Sequence, residues 1–194
     1  MSQRAQQKAE SRDRILGAAA QLLRDKGAGG TSVDAAMRGA ALTVGAFYAH
    51  FDSKEELLAQ AFARAMDEMG ELVRVAAADQ AGLAGLSGVV GTYLSQEHLR
   101  QTRHGCPLPA VTAEASVAHD ERLHELAAQG LTTMHARLLG IASGEVDADD
   151  ALALVSVLVG SQMLARATRG TPMSDKLLKA GLRAAEALLS KETR

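Results

Sequence analysis

The chain of 194 residues has one cysteine, three prolines, no tryptophan and only five Phe and Tyr residues together. A single thiol, Cys106, excludes an intramolecular disulfide framework and a CxxC zinc site, and it fits a reducing compartment, with the cytoplasm as the default. Proline is confined to positions 107, 109 and 172, and β-branched runs are few. Long helices punctuated by glycine are therefore expected, and no strand. The most apolar run, Ala151 to Ala165, is shorter than the ~20 residues a bilayer crossing needs and contains Gln162, so no membrane partner is expected. The N-terminus, MSQRAQQKAESRDRI, is polar where a secretory signal would be apolar. Also missing are a nucleophile elbow, a P-loop, a Rossmann fingerprint, zinc-ligand spacing and an evident pair of catalytic carboxylates. Neither an enzyme nor a cofactor is expected.

What the chain does contain is unevenly placed. Residues 1 to 51 hold seven Lys and Arg against four Asp and Glu, a balance of +3, while the other 143 hold fourteen against nineteen, a balance of −5. Three of the five aromatics, Phe47, Tyr48 and Phe51, fall in the same basic segment. A basic head on an acidic body is the charge pattern of a chain that binds nucleic acid at one end.

Helical periodicity organises that head. A first helix is expected from about Ser11 to Lys26, with Ile15, Ala18, Ala19, Leu22 and Leu23 on one face and the Gly27 to Gly30 cluster ending it. A second should start at Thr31 or Ser32 and turn Val33, Ala36, Met37 and Ala40 inward. Thr43 is placed to cap a third, and Ser53 with Glu56 forms a capping box that opens a long fourth. A helix enters the major groove of B-DNA only if its leading side chains are small and its other face is apolar enough to be held. Thr43, Val44, Gly45 and Ala46 meet the first condition, while Leu42, Phe47 and Phe51 meet the second. Tyr48, His50 and Lys54 are phosphate-seeking groups beside them, and Thr31 and Ser32 join the candidate DNA-binding set.

The whole segment, TSVDAAMRGAALTVGAFYAHFDSKEEL, resembles the DNA-binding signature of the tetracycline-repressor family of one-component bacterial regulators. Gly45 two residues before Phe47-Tyr48, then Phe51, Ser53-Lys54 and Leu57 carry the resemblance, which spans roughly residues 12 to 58. Two positions depart from the family pattern: Ala36 replaces a bulky aliphatic residue, and Ala41 replaces a turn glycine. If that turn is left-handed, alanine costs ~1 kcal/mol or more.

Beyond Leu57, an apolar stripe through Leu58, Phe62, Met66, Met69 and Val73 continues the fourth helix as an arm into the body. Glycines 82, 85, 88 and 91 read as loop and close helix packing, since the Lys and hydroxyl of a P-loop are missing. Pro107 and Pro109 open a helix behind Cys106, which reads as a small buried hydrophobe, a pocket wall or a redox thiol. A helix from His119 to Ala142 puts His124 and His135 on one face without a carboxylate at ligating spacing, so no metal is expected there. Asp147 caps a helix that is apolar almost all round, and a last helix spans Ser174 to Ser190. Together these two suit a four-helix bundle between two subunits, which is also how family members dimerise.

The expected architecture is all-α, about nine helices. Residues 1–56 form a three-helix DNA-binding head and residues 57–194 a helical body for effector binding and dimerisation. The resemblance implies a homodimeric repressor on a palindromic double-stranded DNA operator, released when a small, largely apolar effector enters the body. Met66, Met69, Tyr93, Cys106, Val111, Met134 and Leu158 are the candidate pocket residues. A helical small-molecule-binding or catalytic protein with a remnant helix-turn-helix is the alternative.

Overall fold

Short polar side chains decide where most of the helices start. In the computed structural model, which describes residues 2–190, Ser2 caps α1 (Gln3–Lys26), Ser32 caps α2 (Val33–Gly39) and Ser53 caps α3 (Lys54–Ala76). The helix α4 (Gly82–Tyr93) has no side-chain cap, α5 (Gln96–Arg100) uses Ser95, and α6 (Leu108–Ala115) opens behind Pro107. Asp120, Asp147 and Thr171 cap α7 (Glu121–Ala142), α8 (Ala148–Ala167) and α9 (Pro172–Leu189). Each capping oxygen accepts from a first-turn amide that has no partner within its own helix. Two 3-10 helices, Val44–Ala49 and Thr102–His104, complete an all-α fold without a strand among the described residues.

Three boundaries differ from those the periodicity predicts. The first helix begins at Gln3, about two turns ahead of Ser11, and residues 3–10 are all exposed. No buried face announces this extension in the sequence; the Ser2 cap and a Gln6–Glu10 side-chain bond of 3.2 Å accompany it instead. Asp120 starts α7 two residues after His119, and Thr171 with Pro172 at the first position starts α9 two residues before Ser174.

Two apolar cores result. The smaller joins Ile15, Ala19 and Ala20 of α1, Ala36 and Met37 of α2, Phe47 and Phe51, and Leu57, Ala61 and Ala65 of α3. The larger runs through the body and takes Phe62, Met66, Met69 and Val73 from the same α3. Spacings of four and of three to four residues give one helix two buried faces, one for each core. Any shift of α3 against the body is therefore felt in the head.

Glycine makes two of the close approaches. At Gly88 a Cβ would stand 2.3 Å from the Ala76 carbonyl, so only glycine lets α4 lie against the end of α3. Gly27, with φ of 72°, ends α1; a Cβ there would meet the Glu114 carboxylate at 2.4 Å. The helix α8 has a mean hydropathy of 1.4 and by length and composition alone could cross a membrane. In the fold it packs against α7 and α9, burying Leu154, Val155, Leu158 and Val159 and leaving Leu152 and Leu164 exposed.

The departure at position 41 has a geometric answer. The Leu42 amide donates to the Met37 carbonyl at 2.9 Å and the Ala41 amide to the Arg38 carbonyl at 3.0 Å, the paired bonds that close a helix on a left-handed residue. Ala41 is that residue, with φ of 57°. Ala41→Gly should accordingly raise the urea unfolding free energy by about 1 kcal/mol, since glycine takes this conformation without the Cβ clash. An unchanged or lowered midpoint would show that the turn is not strained.

Candidate nucleic-acid interface

Between the Ala41 turn and α3 the chain forms a six-residue 3-10 helix, Val44–Ala49, rather than a full α-helix. A segment this short, with Gly45 near its start, pays the cost of helix nucleation with few bonds to recover it, so the tighter turn is the natural outcome. Thr43 precedes it in extended conformation and its hydroxyl caps nothing. Thr43, Val44 and Gly45 are exposed, Ala46 is half-buried, and no protein atom lies within 4 Å of where a Gly45 Cβ would stand. These small residues thus present an unobstructed edge.

The edge is held from behind by aromatic packing. Phe47 and Phe51 are buried and stacked with ring centroids 5.6 Å apart, and the Arg12 guanidinium lies 4.3 Å above the Phe51 ring. Tyr48 packs edge-on against Phe47 at 5.2 Å, yet 79% of it is exposed, so its ring is anchored while its hydroxyl reaches solvent. Glu56 ties the far side together. It accepts from the Asp52 amide at 2.7 Å and pairs with Arg12 at 3.2 Å, while its own amide donates to Ser53 at 3.1 Å. The capping box is thus shifted by one residue, to Asp52 instead of Ser53.

Charge converges on the same side. His50 is half-buried, and burial, then Lys8, then Arg12 hold its pKa below the ordinary 6.5, leaving it neutral at pH 7. Lys8 and Arg12 come from the early turns of α1, where Arg4, Lys8 and Arg12 recur every fourth residue. That stripe is the sequence signal for the two further basic groups, and no apolar face accompanies its first two turns.

Residues 15–61 match the family model for bacterial regulatory proteins of the tetR family. The head is of the tetR family. Beyond the head, the chain takes the fold of several solved structures, two of them of regulators carrying that name. One from Chloroflexus aurantiacus is 24% identical, with 96% of this chain and 98% of that chain covered and a TM-score of 0.72. A second, from Cytophaga hutchinsonii, is 19% identical over the same shares, also with a TM-score of 0.72. E. coli NemR in its reduced form is 19% identical, covering 95% and 99%, with a TM-score of 0.73. Among curated proteins none matches the chain.

Within the tetR-family head the structure separates the candidate contacts. Ser32, Thr43, Val44, Gly45 and Tyr48 are exposed, and Ala46, His50 and Lys54 are half-buried. Thr31 corrects the expectation: it is fully buried, and its hydroxyl donates to the Gly27 carbonyl at 2.7 Å, closing the end of α1. That side chain holds the head together and has nothing left for a phosphate. Lys54, at the first position of α3, borders a cleft of about 580 Å³ between head and body, which Glu114, Asp120, Arg122 and Glu125 also line.

The candidate effector residues, Met66, Met69, Tyr93, Cys106, Val111, Met134 and Leu158, all lie in the single large body core and are buried. Cys106 is fully buried, and burial pushes its thiol pKa up despite the neighbouring Tyr93 and Arg166. A protonated thiol sealed from solvent is a poor redox sensor. His124 and His135 do not converge: one donates from Nε2 to the Ala115 carbonyl at 2.9 Å, the other to the Ala148 carbonyl at 2.8 Å.

Proposed function

We propose that the chain is a cytoplasmic, sequence-specific DNA-binding transcriptional regulator, and a repressor. The observation that carries this reading is the exposed edge of Thr43, Val44 and Gly45, braced by buried Phe47 and Phe51 and flanked by Tyr48, His50, Lys8 and Arg12. Thr43, Val44 and Ala46 read base edges or thymine methyls in the major groove, and Ser32, Tyr48, His50 and Lys54 position the head on phosphates. Residues 1–56 serve as the DNA-binding domain and residues 57–194 bind effector and dimerise.

A homodimer pairs two heads through α8 and α9, where Leu152, Leu164 and Met173 are about half exposed and their apolar surface needs a partner. Two-fold symmetry then sets half-sites ~34 to 36 Å apart or at a related spacing. The coupling to the body runs through α3, shared by both cores, and through Glu114 of α6, which accepts from the Ala28 and Gly29 amides at 2.6 and 2.7 Å. A small, largely apolar effector that prefers a different packing of the body changes head spacing by no more than its differential affinity for the two states.

Selection of bound fragments from genomic DNA by the full chain tests the reading: an enriched palindrome is expected. Failure to prefer any sequence at low salt would instead favour a helical small-molecule-binding or catalytic protein with a remnant head, and a footprint placed to recruit polymerase would favour an activator. On the enriched site, Lys54→Ala should weaken binding to all sequences and flatten the slope of log affinity against log salt by about one unit. An unaltered slope removes Lys54 from the phosphate contacts.

A further inference from the structure

Two arginines in this chain, Arg24 buried and Arg166 half-buried, are satisfied very differently. Arg24 pairs with the Glu68 carboxylate at 2.7 Å and donates to the Ala65 and Arg103 carbonyls. Arg166, on α8, has only the Cys106 carbonyl, 3.4 Å from its Nη2. Its Nε and Nη1 are sealed from solvent and meet no acceptor of the protein, and among the described residues no carboxylate stands within ion-pair distance. Asp25, the acid whose charge acts on it, is already engaged by Arg103 at 3.5 Å and by the Thr102 hydroxyl at 3.4 Å.

The groups gathered with Arg166 supply no negative charge either. Tyr93 is fully buried, its hydroxyl meets the Cys106 thiol but no nitrogen or oxygen partner, and burial pushes its pKa well up. His98 stacks on the Tyr93 ring at 4.7 Å and accepts from the Cys106 amide at 3.5 Å; burial and Arg166 push it down to about 4, so it is neutral at pH 7. Gln162, one turn before Arg166 and fully buried, donates to the Tyr93 carbonyl and leaves its Oε1 free. Unfilled donors thus outnumber unfilled acceptors around one uncompensated guanidinium. Native interiors leave few such groups unmatched, and the complement of this set is an anion.

We propose that Arg166 and Tyr93 receive the carboxylate of an apolar monocarboxylic acid, whose hydrocarbon part enters the body core to which Tyr93, Cys106 and Leu158 belong. The inference rests on the effector reading above and narrows it: the effector is apolar in bulk but acidic at one end. Arg166 supplies the charge and the directional N–H groups, Tyr93 a hydroxyl donor, and the core takes the chain.

Calorimetric titration of the DNA-free full chain with octanoate, and with 1-octanol as the neutral molecule of equal length, tests it. Octanoate should saturate one site per chain and bind at least about tenfold tighter than 1-octanol, as a charge-assisted contact requires. Arg166→Gln should abolish that preference. Tyr93→Phe removes only a buried hydroxyl whose partner is the weakly bonding Cys106 thiol, so it should melt close to the wild type yet bind octanoate several-fold more weakly, which keeps the test open if Arg166→Gln fails to fold. Equal binding of acid and alcohol, undiminished octanoate binding in the variants, or no saturable binding of octanoate would each overturn the proposal. A DNA shift assay on the same preparations separates the two readings. Octanoate bound without loss of DNA affinity supports the anion site and removes the effector role. DNA release by a neutral molecule without octanoate binding overturns the anion site and leaves the regulator intact.

Discussion

Phe47→Ala is expected to unfold the head while the body stays folded. The head core contains eleven buried residues, of which six are alanine, so Phe47 and Phe51 supply much of its apolar area. Phe47 is 2% exposed and stacks on Phe51 while anchoring Tyr48. Truncating a buried phenylalanine costs about 3–5 kcal/mol, and a core built mostly of alanine has few large side chains that could relax into the cavity. Hydrogen exchange checks the outcome: amides of α2 should lose protection while those of α7, α8 and α9 keep theirs, and DNA binding should vanish with the head. Wild-type protection in α2 would mean that the helix pair is held by something other than its aromatic brace.

Arg24→Ala is the second large effect, on the order of 3 kcal/mol, because it takes the donor from two carbonyls and from a carboxylate at once. Arg24 is 1% exposed and joins α1 to Ala65 and Glu68 of α3 and to Arg103 of the body. Urea unfolding of Arg24→Ala beside Arg24→Met divides the loss, since methionine restores the volume of the stem but not the donors. If both variants unfold at the wild-type midpoint, the buried guanidinium contributes nothing net. The pH dependence has a definite sign. Burial raises the Glu68 pKa, but bonds from Arg64 and Arg24 outweigh it and hold the carboxyl below the ordinary 4.5. Its share of stability is therefore present above that value and is lost as pH falls through the lower folded value. Acid unfolding of Arg24→Ala should be correspondingly less steep below pH 4.5.

Much of the head was legible in residue order because its devices are local. Ser32 and Ser53 cap helices a few residues ahead of themselves, Phe47 and Phe51 repeat at helical spacing, and glycine ends α1. The remaining features have no periodic apolar signal or depend on partners far along the chain. The early turns of α1 that carry Lys8 are exposed all round, and Thr31, a candidate DNA contact by its place in the motif, is buried with its hydroxyl bonded to the Gly27 carbonyl. Glu114, 86 residues beyond Ala28, clamps the head to the body, a pairing that no spacing in the chain announces.

The sequence by itself determined the helical class, the head motif, the caps at Ser32, Ser53 and Asp147 and the aromatic brace, since each is a short-range match between a side chain and the backbone or face next to it. Only the tertiary structure decided three further matters: that the Ala41 turn is left-handed, that α3 feeds two cores, and that buried Arg24 finds a carboxylate while half-buried Arg166 does not. Burial and charge compensation are sums over neighbours drawn from the whole chain, so they become defined only when distant helices have packed.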